Sequence, residues 1–177
     1  MRIKTQIVAT LLSAAALIGL VGGIAIISQM SLTRSAAVAE ATSVGRQLAE
    51  AIAFKASDAP HSLFERADAL REFVKSQHSD SKRDLVVVNH DKVILADVPG
   101  EEKNIGTPYH HDPGNEVGRT IEDGAPRDFI EDSGDVAEPI NLVAVPIKDA
   151  AGKTVGAVLF EYTPLLHAAQ QRTNNML

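Results

Sequence analysis

"DLVVVNHDKVILAD", residues 84–97, is the stretch on which the fold of this chain turns. Two β-branched runs flank the polar turn Asn89 to Lys92, so the segment reads as a β-hairpin. A second pair lies near the end, where "INLVAVPIKD" (140–149) and "KTVGAVLFEY" (153–162) flank "AAG", with Gly152 suited to a positive φ. Pro146 cannot donate a ladder hydrogen bond, so it marks an edge, a strand end or a bulge. Gly156, inside the last run, marks a bulge or the close approach of another group.

Between the hairpins lie about forty residues, Asp97 to Pro139, with six glycines and five prolines. Loops of that length inside a compact domain tend to carry function. "RDFIE", 127–131, alternates enough to predict one short strand within this crossover. Upstream, "SLTRSAAVAEATSVGRQLAEAIAFKAS" (31–57) predicts a long helix with Val38, Ala41, Val44, Leu48 and Ile52 on one face. After a break at "SDAPHS", Ser62 and Glu65 form a candidate capping box for a second helix, "LFERADALREFVKSQH" (63–78), with Leu63, Ala67, Leu70 and Val74 as its core stripe. The expected fold is therefore α+β: an antiparallel sheet of four to five strands, covered on one face by helices.

The N-terminus carries a different signal. From Ile7 to Ile27 no residue is charged, and about twenty-one residues at about 1.5 Å each cross a hydrocarbon core of about 30 Å. Arg2 and Lys4 precede the run and only Arg34 follows closely, which places the start in the cytoplasm and the remainder outside. A cleavable leader is the competing account, with "AVA" at Ala37–Ala39 as its cut, and either account exports the domain. Ala15, Gly19 and Gly23 recur every four residues, a spacing that lets membrane helices pair. The expected organisation is a transmembrane helix over 1–30, an extracytoplasmic domain over 31–165, and over 166–177 the start of an exit helix, with Thr163 as cap and Pro164 in its first turn. The absence of cysteine excludes a disulfide framework.

With a span, a long outer helix, then "VVVNHDKVILADVPGEEKNIGT" and "LVAVPIKDAAGKTVGAVLFEYTPL", the chain resembles the extracytoplasmic PAS-like sensor domains called Cache, over about Ser31 to Leu165. These occur in bacterial histidine kinases, chemoreceptors and diguanylate cyclases. The resemblance implies a single-module sensor at the inner membrane that binds a small molecule between sheet and crossover and relays a helix shift, as a homodimer, across the membrane. One departure stands out: Asp91-Lys92 occupies a turn where the family often has Gly.

No phosphate-binding Gly loop, HExxH or cysteine nucleophile is present, and no enzyme activity and no nucleic-acid partner are expected. The crossover holds twelve carboxylates against three basic side chains between Asp97 and Glu138, an acidic field whose bland reading is a solvated surface. In "EDGAPRDFIED" the acids Glu122, Asp123, Asp128, Glu131 and Asp132 are not spaced as an EF-hand. His110 and His111 are adjacent and so point to opposite sides of an extended chain; one of them facing a pocket can contact a carboxylate, a metal or haem iron. Arg119 and Arg127 offer bidentate forks to a carboxylate or amino-acid ligand, or pair with neighbouring acids. Tyr109 and Tyr162 add hydroxyls. The candidate ligand-binding residues are thus Tyr109, His110, His111, Arg119, Arg127, Asp128 and Tyr162, with no cofactor and no metal-ligand set assigned. The alternatives are a dimerisation or periplasmic interaction module that binds no small molecule, and a divalent-metal or haem sensor.

Overall fold

The structure, a computed structural model, describes residues 2–53, 62–81, 83–132 and 139–174, and in the leading helix only side chains from residue 28 onward. The chain divides into two units, residues 1–36 and 37–177. The first is the leading part of α1 (Arg2–Ala53), where Met30 and Leu32 are exposed. Among the described residues no helix is long and apolar enough to cross a membrane, and the run Ile7–Ile27 lies outside the described side chains.

The second unit holds a five-stranded antiparallel sheet in the order β2-β1-β5-β4-β3. Its strands are β1 (Leu85–Asn89), β2 (Ile94–Ala96), β3 (Arg127–Ile130), β4 (Asn141–Lys148) and β5 (Thr154–Glu161). Both hairpins and the short crossover strand form where the sequence predicts them. Strands β4 and β5 are buried along nearly their whole length, because both faces of the sheet are covered.

Alternation along the strands separates the two faces. Leu85, Val87, Val143, Val145, Ile147, Val158 and Phe160 meet α1 and α2 (Ala67–Ser81). Val88, Leu142, Ala144, Ala157, Leu159 and Phe129 face the crossover. Full burial of one such aliphatic side chain is worth about 1.5–3 kcal/mol, so the two layers together fix the strand register.

On the helix side, the contact of α1 is rotated by about one residue from the predicted stripe. Ala37, Ala41, Gly45, Ala49 and Ile52 are buried, while Val38, Val44 and Leu48 are half-buried. Small residues run along the inner face because the helix lies close to the sheet: a Cβ on Gly45 would stand 2.8 Å from Val145 Cγ2. The second helix also starts later than predicted. Leu63–Glu65 is a 3₁₀ turn, Ser62 makes no side-chain cap bond, and Arg66 breaks the path before α2 begins at Ala67. The capping box is thus not formed, although Leu70 and Val74 are fully buried as the stripe requires and Ala67 is exposed.

Pro146 sits beyond the end of β3, whose pairing stops at Ala144, so β4 has a neighbour on one side only at that position. Gly156 satisfies both expectations for it. The β4–β5 register shifts beside it, and a Cβ there would meet Val88 O at 2.2 Å and the Phe64 ring at 3.0 Å. Finally α4 (Thr163–Asn174) starts at the Thr163–Pro164 pair, but the Thr163 hydroxyl accepts the Asn141 N–H of β4 at 2.8 Å and so ties the helix start to the sheet.

Candidate functional site

The crossover is more ordered than its composition suggests. It first runs beside β2, where Ile94 N donates to Thr107 O and Gly106 N to Ile94 O at 2.9 and 2.8 Å, covering that edge of the sheet. It then turns through Asp112-Pro113-Gly114-Asn115, closed by Asn115 N donating to Asp112 O at 3.0 Å. A two-turn helix follows, α3 (Glu116–Asp123), with Val117, Thr120 and Ile121 buried against the sheet. Gly124, at φ 70°, ends it in the left-handed conformation that glycine adopts without steric cost.

This segment is locked to the first hairpin. Asn89–Val93 and Asp149–Lys153 are the same turn built twice: the side-chain oxygen of Asn89 or Asp149 accepts N–H groups two and four residues on, at 2.8–2.9 Å. The fourth residue is left-handed in each, Gly152 at φ 81° and Lys92 at φ 62°. Lys92 takes a conformation that costs an L-residue about 1–2 kcal/mol, and its side chain explains why it can stay there. Lys92 Nζ donates to both Asp112 oxygens at 2.7 and 2.9 Å and to Asn115 Oδ1 at 2.9 Å. Asp112, its side chain 1% exposed, also accepts the Val117 N–H at 2.9 Å, one of the four amides that the start of α3 leaves unpaired within the helix. In "PYHHDPG" the residue held inside is therefore the aspartate. His110 and His111 are both exposed, and His111 Nδ1 lies 3.1 Å from Asp132 O.

The seven candidate residues do not converge. Tyr109 is buried under the crossover, edge-on to Phe129 and to His111. Tyr162 is buried on the opposite, helix-covered face, its hydroxyl 3.5 Å from Asp128 Oδ2. Neither arginine reaches beneath the crossover as an anion anchor. Arg119 is exposed, and Arg127 is gripped by Asp123, with Nη1 at 2.8 Å from Oδ1 and a second contact from Nη2 to Oδ2. That grip holds the Asp123 carboxyl well below the usual carboxylate range.

Two hydroxyls beneath the crossover, Tyr109 Oη and Thr120 Oγ1, are buried and have no hydrogen-bond partner among the described residues. An unpaired buried hydroxyl costs about 1–3 kcal/mol, so native proteins rarely keep one without use. Burial pushes the Tyr109 hydroxyl far above its ordinary pKa, with the charges of Glu131, Asp112 and Asp97 adding to the effect. Asp112 stands beside the two histidines in the sequence, whereas the only sequence signal for Thr120 is the spacing Val117, Thr120, Ile121, over two turns.

A separate cleft of about 690 Å³ opens between the end of α1 and the β4–β5 turn, lined by Arg46, Glu50, Gly124, Lys148 and Asp149. It contains none of the seven. Among the described residues no group of three or more His, Asp or Glu could hold a metal ion.

No protein-family model and no curated protein matches the chain. Solved structures do. The sensor domain of E. coli DcuS matches 81% of this chain and 98% of its own, with TM-score 0.56 and 19% identity. The sensor domain of the V. cholerae histidine kinase DctB matches 81% of this chain, with TM-score 0.57 and 11% identity, and the chain spans 57% of it. The chain shares the fold of these two domains. At such identities the likeness is one of architecture, and it agrees with the Cache resemblance of the hairpins.

Proposed function

We propose that this chain is the extracytoplasmic sensing module of a membrane-anchored receptor, with its membrane segment in residues 1–30, its sensor domain in 31–165 and an exit helix from 166. It binds a small molecule between the sheet and the crossover and passes a helix shift toward the membrane, as a homodimer. The observation that carries the reading is the pair of unpartnered hydroxyls, Tyr109 Oη and Thr120 Oγ1, under a roof pinned in place by Lys92 and Asp112. A fold shared with two sensor domains supports it.

A ligand bound only by the folded chain raises its melting temperature. Melts of the full chain against carboxylates, amino acids, amines, divalent metals and haem test the proposal; a chain that none of them stabilises refutes it. The interaction-module alternative draws on one observation, the dense apolar layer of Val117, Ile121, Phe129, Leu142 and Leu159, each at most 5% exposed. It predicts melting that depends on protein concentration and on no small molecule.

A further inference from the structure

The register of the sheet gathers carboxylates at one end of the crossover face. Leu85 and Phe160 face the helices, so Glu161 faces the crossover; Asp84, just before β1, accepts the Glu161 N–H at 3.0 Å, donates its own N–H to Glu161 Oε2 at 3.4 Å, and stands at the end of the sheet with its carboxylate 3.8 Å from His78 Nδ1 of α2. The same row continues through Leu142, paired with Glu161, to Phe129, paired with Leu142. Glu131, two residues beyond Phe129, shares its side of the strand, and Asp97 leaves the end of β2 alongside. The Tyr109 ring packs on Phe129 with centroids 6.5 Å apart, only 4% of the residue is exposed, and its hydroxyl has no partner among the described residues.

The charges in this corner are poorly neutralised. Burial raises Asp84, Asp97, Glu131 and Glu161 above the ordinary carboxylate range, and each is pushed further by at least one other of the cluster or by Glu101. The cations around it are few: His78 Nδ1 is 3.8 Å from Asp84; Arg83, stacked over Phe160, acts on Glu161 only weakly against its burial; and His111 acts on Glu131 from an exposed position. Lys92 is committed to Asp112, and Arg127 to Asp123. The acids come from four different strand ends and do not converge tightly enough for one metal ion.

We infer that the ligand of the crossover face is a small organic cation, an amine or diamine, whose ammonium groups are taken by Glu161, Glu131 and their neighbours while the Tyr109 hydroxyl accepts one of its N–H groups. This rests on the sensor reading and sharpens it: among the described residues Lys92 and Arg127 are already held by acids, and a dicarboxylate enters a corner of its own sign.

The test uses the full chain in 0.15 M salt, with melting and calorimetric titration against 1,4-diaminobutane, 1,4-butanediol, succinate and calcium chloride. The inference expects 1,4-diaminobutane alone to stabilise and bind. Glu161→Gln and Glu131→Gln each lower that affinity by about tenfold or more with an unchanged circular dichroism spectrum, since each removes a charge-assisted hydrogen bond. Tyr109→Phe, which keeps the ring, weakens it less. Stabilisation by succinate without 1,4-diaminobutane overturns the ligand class and leaves the sensor reading standing. An equal response to calcium, or diamine binding indifferent to both Gln variants, overturns the site. A chain that responds to none of the four overturns the inference, and the wider library then decides the fate of the sensor reading.

Discussion

Lys92→Met removes the cation that pins the crossover and leaves the Asp112 carboxylate, 1% exposed, facing an apolar side chain. Breaking a fully buried pair in this way costs about 3–5 kcal/mol. Lys92 keeps 20% of its side chain exposed and Asp112 retains the Val117 N–H, so water and the helix start recover part of the loss. An expected cost of about 2–3 kcal/mol remains. For a unit of this size each kcal/mol moves the melting temperature by about 3–4 °C, so the variant should melt about 6–12 °C lower. Lys92→Gly makes the reasoning sharper. It loses the same pair but releases the left-handed strain at φ 62°, and should be more stable than Lys92→Met by about 1 kcal/mol. Denaturant titration gives both values, and hydrogen exchange of the α3 amides, Val117 first, shows whether the loss is local to the crossover. A cost below about 0.5 kcal/mol, equal to that of a lysine-to-methionine change at exposed Lys75, would refute the assignment of Lys92 and Asp112 as the pin.

The pH dependence has a definite sign. Asp84, Asp97, Glu131 and Glu161 are raised in the folded state, which therefore binds more protons than the unfolded chain, and stability should rise as the pH falls from neutral into the raised carboxylate range. Asp123, held low by Arg127, acts in the opposite sense below its ordinary value, so the melting temperature should pass through a maximum in mild acid. Glu161→Gln should flatten the rising limb, and a profile flat between neutrality and mild acid would contradict the burial of these groups. Gly45→Ala, a gain in helix propensity of about 1 kcal/mol on an exposed face, should instead destabilise, because its Cβ meets Val145; Val145→Ala in the same chain should recover part of the loss, as a melt of the pair would show. Thr120→Val replaces an unpaired buried hydroxyl with a methyl and should raise stability by about 1 kcal/mol by denaturant titration; a loss would mean that the hydroxyl has a partner in solution.

How much of this was legible in the sequence follows from the range over which each signal acts. The hairpins were readable because β-branched runs, polar turns and Gly152 are local, and their own backbone chemistry closes them. The strand at Arg127–Ile130 was readable for the same reason. The inner face of α1 was misread by about one residue because periodicity counts large apolar side chains, whereas the helix approaches the sheet along Ala37, Ala41, Gly45 and Ala49, where smallness is the requirement. The crossover helix was missed because two turns are too short for a period to declare itself.

The sequence alone thus determined the α+β class, the antiparallel hairpins, the long leading helix and the acidic character of the crossover, since composition and local alternation dictate them. Only the tertiary structure decided which charges are occupied. Lys92 and Asp112 lie twenty positions apart and meet because one hairpin and one crossover turn face each other. Arg127 turns to Asp123, Tyr162 and Tyr109 fall on opposite faces of one sheet, and the histidines of "PYHHDPG" stay outside while the aspartate goes in. Pairing of side chains across strands and layers is a property of register and packing, and no pattern along the chain encodes it directly.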